Sequence, residues 1–193
     1  MTSAHAVQTQ ASRVPFYLSV LVAFHIALVI ASNYLVQLPI TLLGFHSTWG
    51  AFSFPFIFLA TDLTVRLIGK TAARRVIMRA MLPALVVSYV VGVLFHEGRF
   101  NGWEALQSFN GFVFRIALAS FAAYVLGQLL DIQVFDRIRQ KSHSWWLAPA
   151  AASVFGQVLD TAAFFSIAFW RSSDAFMAAN WVEIAMVDYV IKL

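Results

Sequence analysis

The chain has 193 residues, of which 61% are hydrophobic and only 11% charged, and its formal net charge is +4. A soluble domain of this size needs far more polar surface, so the composition excludes an ordinary soluble protein. Cysteine is absent, which excludes a disulfide framework, a thiolate metal site and a cysteine nucleophile. The composition therefore predicts an all-α fold, a polytopic bundle of transmembrane helices.

The first apolar run follows a polar segment, residues 1–15, and is too long for the core of a signal peptide. It predicts an uncleaved first span at 16–36. The next connection, "LPITLLGFHST", contains Pro39 and Gly44, which interrupt helices, yet it is apolar like a loop that lies partly in the membrane. Apolar runs of about 20 residues, long enough to cross the hydrocarbon core, predict further spans at 49–69, 76–95, 109–131 and 147–170, and a sixth begins near Asn180. We expect residues 16–193 to form one transmembrane domain.

Basic residues are distributed unequally between the two sides that these spans define. One side carries Arg99 and Arg171. The other side carries seven basic residues: Arg13, Lys70, Arg74, Arg75, Arg137, Arg139 and Lys141. The positive-inside rule therefore predicts a cytoplasmic amino terminus. Because these residues fall in short loops rather than on one basic face, the positive charge gives no support to direct nucleic-acid binding.

Ionisable residues at bilayer depth cost at least ~2.5 kcal/mol each, so they are candidates for function. Asp62 and Arg66 are four residues apart, acid first, and either form a structural ion pair or leave Asp62 facing a polar cavity. Arg115 has no acidic neighbour on its own helix, so we expect it to pair with Asp160 or Glu183. The predicted spans contain seven such residues: His25, Asp62, Arg66, Arg115, Asp160, Glu183 and Asp188.

A short motif, "GQLLD" at 127–131, returns as "GQVLD" at 156–160. In each copy the glutamine and the aspartate are three residues apart and share a helical face with the glycine, which makes a polar notch. Such a repetition is more typical of convergent helix packing than of an inverted repeat. Asp131 lies at the cytoplasmic boundary, whereas Asp160 is ~13 residues, or about 20 Å, into its span. We therefore expect Gln157 and Asp160 to contact a solute, and Gln128 and Asp131 to form a cytoplasmic-side gate or helix clamp.

Motifs for nucleotide hydrolysis, zinc proteolysis and serine hydrolysis are absent from the sequence. The five histidines are scattered over different predicted elements, so neither a metal site nor a cofactor is predicted. Buried carboxylates, amides and aromatic rings instead suit a cavity for a small, planar, partly polar solute. A guanine-like ring, with N–H donors beside a carbonyl, would fit. An intramembrane enzyme that uses the carboxylates as acid and base is the alternative from another class.

Four stretches of the sequence together resemble one known family: "SNYLVQLPITLLGFHSTWGAFSFPFIFLATDLTVRLIGKTAARR", "RIALASFAAYVLGQLLDIQVFDRIR", "WWLAP" and "GQVLDTAAFFSIAFW". They are similar to the queuosine precursor transporters, also called the vitamin uptake transporter family, over residues 32–192. The resemblance implies six spans related to the S-component fold of vitamin importers. It also implies import of 7-cyano-7-deazaguanine and related 7-deazaguanines across the bacterial inner membrane, for queuosine modification of tRNA. Members continue through a complete last helix, so the short final segment predicts a truncated sixth span.

The resemblance favours seven polar positions as functional: Asn33, Gln37, Asp62, Gln128, Asp131, Gln157 and Asp160. From their chemistry, we expect Asp160 and Gln157 to bind the guanine-like edge, and Asn33 and Arg115 to contact the carbonyl or position the acid. Asp62 is a further solute-binding candidate. Phe54 or Phe58 would stack on the ring, and Gln37 would act with the gate or clamp.

A solitary carrier is the leading interpretation. The alternative is a substrate-binding subunit that works with a separate ATPase module, for which Ala27 and Ala31 offer a face of small residues. A homo-oligomer, the energy source and the preferred 7-deazaguanine are left open by the sequence. His25 is isolated among apolar residues, which is more typical of a packed histidine bonded to a neighbouring helix than of a proton carrier.

Overall fold

The structure, a computed structural model, describes residues 2–96, 98–141 and 147–192, without the side chains of residues 2–17, 54, 58, 128–141 and 147–153. In this part of the chain, six helices account for most of the residues: α1 (Thr2–Leu35), α2 (Phe54–Ile68), α3 (Lys70–Leu94), α4 (Gly111–Lys141), α5 (Leu147–Phe169) and α6 (Ala175–Lys192). The predicted all-α helical bundle is confirmed. Four short strands are added to it: β1 (Pro39–Leu42), β2 (Phe45–Thr48), β3 (Phe95–His96) and β4 (Arg99–Phe100).

Several helices are long and apolar enough to cross a membrane. Within the described residues, three segments meet both criteria: Leu18–Leu35, Trp49–Ile68 and Lys70–Leu94, and the shorter apolar stretches Gly111–Gly127 and Val154–Phe169 lie in α4 and α5. The outer face of α2 presents Leu59, Leu63 and Leu67 to the surroundings. Apolar surface of this kind is stable when lipid covers it, which fits a protein embedded in a membrane.

The connection after α1 is a β-hairpin rather than an irregular loop. β1 pairs antiparallel with β2, from Pro39 opposite Thr48 to Leu42 opposite Phe45. The two turn residues, Leu43 and Gly44, both have positive φ, at 52° and 89°. This two-residue turn matches the right-handed twist of the strands, and glycine reaches such a φ without a steric penalty. A 3₁₀ helix, Trp49–Ser53, then leads into α2.

The amino termini of α4 and α6 are fixed by side-chain caps. Asn110 Oδ1 accepts a hydrogen bond from the backbone N–H of Val113 at 3.1 Å, and Asp174 Oδ1 accepts one from Met177 at 2.9 Å. Asparagine and aspartate are preferred caps because they satisfy N–H groups that have no partner within the helix. The expected start of the sixth helix near Asn180 was therefore wrong, since its cap sets the start at Ala175.

Three helices continue beyond their apolar runs at the predicted cytoplasmic end, into segments that contain basic residues. α3 begins at Lys70 rather than at residue 76, and only Gly69, with φ of 80°, separates it from α2. α4 continues to Lys141 rather than ending at residue 131. α1 begins at Thr2, before the apolar run that opens at residue 16. Helical hydrogen bonding does not stop where hydropathy changes, which explains these longer helices.

The core lies where α3, α4, α5 and α6 meet. Its largest side chains are Phe112 from α4 and Phe165 and Phe169 from α5, and the Phe169 ring centroid lies 6.0 Å from Phe112 and 5.7 Å from Phe165. Met177 and Ile184 of α6 are fully buried against this cluster. α4 packs most extensively on α5, and α1 packs on α3.

Gly50 of the 3₁₀ helix packs against Val36, the residue that follows α1. A Cβ atom at this position would lie 2.9 Å from both Cα and Cβ of Val36, so the contact involves backbone that has no room to move. We expect Gly50→Ala to lower the free energy of unfolding by about 1–3 kcal/mol, the usual cost of overpacking. Thermal unfolding of the purified protein in detergent measures it. Gly127→Ala is the matched control, since a Cβ there meets no described atom within 4 Å outside its own turn of helix.

Candidate functional site

A cavity of about 190 Å³ lies inside the bundle. It is smaller than the ~300–1,000 Å³ of drug-sized sites, so it suits one small solute. Each of the six helices contributes at least one wall residue, and Gly50 contributes from the 3₁₀ helix. Most of the walls are apolar. The polar wall residues are Ser32, Asn33, Ser120, Tyr124, Asp160, Asp188 and Lys192.

Two carboxylates and one ammonium group form the charged part of the cavity wall. Lys192 Nζ lies 2.7 Å from Asp188 Oδ2 and 3.3 Å from Asp160 Oδ2, and it donates to Thr161 Oγ1 at 3.2 Å. Two carboxylates and one hydroxyl thus surround the ammonium group. The side chains of Asp188 and Lys192 are 8% and 4% exposed, whereas Asp160 is 30% exposed. Asp160 is therefore the more exposed of the two carboxylates in the cavity wall.

Asn33 links three helices beside the same cavity. Its Nδ2 donates to Ser88 Oγ of α3 at 3.1 Å, and its Oδ1 accepts a hydrogen bond from Ser120 Oγ of α4. Ser88 in turn donates to the backbone carbonyl of Ala84. These bonds fix which end of the amide faces which helix. Asn33 lines the cavity as expected, but both ends of its amide already have protein partners.

Aromatic rings that could stack on a planar solute come from α4 and α5. Tyr124, Phe164 and Phe165 line the cavity, and Phe164 and Phe165 make an edge contact with ring centroids 5.1 Å apart. Sequence reasoning missed these three residues. The side chains of Phe54 and Phe58, which were the expected stacking residues, lie outside the described part of the chain.

Arg115 pairs with neither Asp160 nor Glu183 in the described part of the chain, so that expectation was wrong. Its Nε donates to the backbone carbonyl of Ile167 at 2.9 Å, Nη2 to Trp170 at 2.5 Å and Nη1 to Arg171 at 3.1 Å. These carbonyls lie at the carboxyl end of α5, where the last turn has no N–H partners of its own and the helix dipole is negative. Arg115 thus caps α5 from α4, and it does not line the cavity.

The cap makes Arg115 a residue of structural importance. We expect Arg115→Met to lower the free energy of unfolding by about 1–2 kcal/mol, because one partly buried and two exposed carbonyl groups lose their donor. Lysine keeps the positive charge, but its compact ammonium group lacks the planar, forked donors of the guanidinium. We therefore expect Arg115→Lys to recover only part of the lost stability. Thermal unfolding in detergent compares the three proteins. Equal stability of all three would contradict the capping role.

Asp62 and Gln157 also lie away from the cavity wall. Asp62 Oδ2 accepts a hydrogen bond from Arg66 Nε at 2.6 Å, and both side chains are mostly exposed, which corresponds to the structural ion pair rather than to a cavity-facing acid. Gln157 is half-buried one turn before Asp160, but it is not a wall residue. Of the repeated motif, the side chains of Gln128 and Asp131 lie outside the described residues.

Gln37 and His25 are buried in contacts between helices. Gln37 Nε2 donates to the backbone carbonyl of Asn33 at 3.2 Å, and the side chain packs against Gly92 of α3. His25 Nε2 lies 3.0 Å from Thr64 Oγ1 of α2. The expectation of a packed histidine bonded to a neighbouring helix is thus confirmed for His25.

The charged cluster of Asp160, Asp188 and Lys192 was only partly anticipated. Asp188 was expected in a span, but neither it nor Lys192 was assigned to the site. The signal was present, since Asp188 and Lys192 are four residues apart with the acid first, the same spacing that drew attention to Asp62 and Arg66. Glu183 contacts His46 of β2 instead of this cluster. It accepts a hydrogen bond from the backbone N–H of His46 at 3.0 Å, and its Oε2 lies 2.8 Å from His46 Nδ1.

Comparison with known proteins places this bundle in a family. The family profile described as "Putative vitamin uptake transporter" matches residues 48–193, about three quarters of the chain. The chain belongs to the vitamin uptake transporter family. This membership, together with the apolar helices, makes it a membrane-embedded transporter rather than an enzyme. No solved structure matches the chain.

Three curated relatives share most of the chain. The "Queuosine precursor transporter" of Escherichia coli (strain K12) is 61% identical over 186 residues, which cover 96% of this chain and 82% of the relative. The "Probable queuosine precursor transporter" of Haemophilus influenzae is 56% identical over 182 residues, 88% of this chain and 77% of the relative. A protein of the same name from Bacillus subtilis (strain 168) is 29% identical over 169 residues, 84% of this chain and 72% of the relative.

Proposed function

We propose that this chain imports a queuosine precursor, 7-cyano-7-deazaguanine and related 7-deazaguanines, across the bacterial inner membrane. The observation that carries the proposal is the 61% identity, over 96% of the chain, to a protein named as a queuosine precursor transporter. The cavity supports it chemically. A carboxylate that accepts N–H donors, neighbouring aromatic rings and a small volume suit a purine-like ring.

The proposed binding mode assigns the edge of the ring to Asp160. Its partly exposed carboxylate accepts hydrogen bonds from the adjacent N–H groups of the guanine-like edge, while Lys192 holds the carboxylate in place from the other side. Tyr124, Phe164 or Phe165 cover the ring faces. Asn33 stabilises the cavity wall through its hydrogen bonds with Ser88 and Ser120. Arg115 contributes indirectly, because it holds the carboxyl end of α5 in place.

The proposed orientation has the amino terminus in the cytoplasm. Support comes from the seven basic residues on one side of the predicted spans against two on the other, as the positive-inside rule requires. In this orientation, Gln128 and Asp131 of α4 lie toward the cytoplasm, where they are proposed to gate the inner end of the pathway. The chain is proposed to act as a solitary carrier. Ala27 and Ala31 are both exposed on α1, but a face of small residues alone does not favour an ATPase partner.

Uptake of labelled 7-cyano-7-deazaguanine tests the function. Bacteria that cannot make the precursor are supplied with it, with and without this protein, and both the intracellular intact label and the queuosine content of tRNA are measured. We expect both to depend on the protein, and absence of intact label inside cells that contain it would refute import. Reconstitution into vesicles without an ATPase distinguishes the carrier from a coupled subunit, since only the carrier would equilibrate the label.

A further inference from the structure

Tyr124 carries a buried hydroxyl group that has no partner among the described residues. The residue lies on α4 and lines the cavity. Its hydroxyl is covered from solvent and has no hydrogen-bond partner within the described part of the chain. A buried hydroxyl without a partner costs free energy, because the group has lost its bonds to water. The hydroxyl therefore needs a reason other than the stability of this conformation.

Packing does not supply that reason. Phenylalanine fills nearly the same volume without a polar group, and this chain already uses it 19 times, with Phe164 and Phe165 in the same cavity wall. A phenylalanine at position 124 would complete the wall and avoid the unpaired hydroxyl. A tyrosine in a cavity of this kind points to a hydrogen bond that forms when a solute is present.

Most of the other polar wall groups already have protein partners. The Lys192 ammonium contacts Asp188, Asp160 and Thr161, and the Ser32 hydroxyl accepts from Ser53. The amide of Asn33 donates to Ser88, and the Ser120 hydroxyl donates to Asn33. The carboxylate of Asp160 only accepts. A solute edge that presents N–H donors beside a carbonyl needs one donor next to that acceptor, and the Tyr124 hydroxyl is available for it.

We infer that the Tyr124 hydroxyl donates a hydrogen bond to the carbonyl oxygen of the bound ring and determines specificity for oxo-substituted 7-deazapurines. The inference rests on the proposed function, and it names the group of the solute that is recognised. Because the hydroxyl is covered in this structure, the bond forms as the side chain and α4 adjust around the solute. A site built to bond a polar group discriminates strongly against an analogue that lacks it.

The test compares two probes on the purified protein in lipid nanodiscs. The first is 7-cyano-7-deazaguanine, and the second is the analogue in which hydrogen replaces the ring oxygen, a change that also removes the adjacent ring N–H. We expect the wild-type protein to bind the first at least about 10-fold more tightly. In Tyr124→Phe, which removes only the hydroxyl oxygen, the preference should fall at least about 3-fold relative to the wild-type protein, through weaker binding of the oxo compound and with the analogue unchanged. The preference that remains reflects the ring N–H that Asp160 accepts from.

Thermal unfolding without a solute separates recognition from a structural role. Since the hydroxyl has no partner in this structure, Tyr124→Phe should unfold at the wild-type temperature or above it. Tyr89→Phe is the matched control. The Tyr89 hydroxyl accepts from the backbone N–H of Asn110 at 3.1 Å and lies outside the cavity wall, so its removal should lower the unfolding temperature and leave the probe preference intact.

The outcomes separate this inference from the proposed function. If the wild-type protein neither binds nor imports the precursor, both are overturned. If import is normal but Tyr124→Phe keeps the wild-type preference, or weakens both probes equally, only the role of Tyr124 is overturned. A reduced preference together with unchanged thermal stability supports the assignment.

Discussion

Asp160→Asn should lower uptake of labelled 7-cyano-7-deazaguanine by about 10- to 100-fold, the loss of one charge-assisted hydrogen bond at ~1.5–3 kcal/mol. The substitution replaces a carboxylate oxygen with an N–H₂ group, so a donor would face the donors of the guanine-like edge. It also removes one of the two carboxylates that surround Lys192. Initial rates of uptake in cells that cannot make the precursor measure the effect, normalised to the amount of protein in the membrane.

Asp62→Asn is the matched control for this prediction. It makes the same chemical change in a membrane-spanning helix, but Asp62 is exposed, pairs with Arg66 and does not line the cavity. Its uptake should stay within about 2-fold of the wild-type protein, as expected for an exposed ion pair worth ~1 kcal/mol or less. Wild-type uptake by Asp160→Asn, or equal losses in both variants, would remove Asp160 from the binding site.

Lys192→Met should be among the most destabilising substitutions in the described part of the chain. It leaves the carboxylate of Asp188, which is 8% exposed, without its ammonium partner at 2.7 Å. Breaking a buried ion pair on one side costs about 3–5 kcal/mol, because an uncompensated charge stays buried. Thermal and denaturant unfolding in detergent measure the loss. Uptake should fall as well, since Lys192 also holds Asp160.

A second substitution distinguishes a charge effect from a packing effect. Adding Asp188→Asn to Lys192→Met removes the unpaired charge and should restore a large part of the lost stability. If the double variant is no more stable than Lys192→Met, the lysine acts through its packing and the ion-pair interpretation fails. Arg99→Met is the charge-matched control on the exposed β4 strand, where we expect a change within about 0.5 kcal/mol.

The local limits of the elements depend on nearby residues, but the sequence analysis misplaced several of them. Asn110 and Asp174 occupy cap positions, and the Leu43–Gly44 pair forms the hairpin turn, so each depends on residues within a few positions of itself. The start of α6 was misplaced because hydropathy was given more weight than the cap. The extension of α3 to Lys70 was missed for the same reason, since charge marks the end of the apolar region and not of the helix.

The partners of the polar side chains could not be deduced in this way. Asp62 and Asp160 are both aspartates within apolar helices, yet one lies on the outside of the bundle and the other lines its cavity. Arg115 was assigned to an acidic partner, but it caps α5 at Ile167. Both outcomes depend on which face each helix turns toward its neighbours. Local spacing determines which residues share a face, but not what that face contacts.

The sequence by itself determined that this chain is a helical membrane protein, and its quoted motifs were sufficient to indicate the family. Composition and apolar length are properties of each segment, and the free energy of transfer into lipid depends on little else. Only the tertiary structure decided that Asp160, Asp188 and Lys192 meet at one cavity and that Tyr124 brings an unpaired hydroxyl to it. These four residues come from α4, α5 and α6. Their meeting depends on how the helices pack against one another, which the sequence of a single helix does not determine.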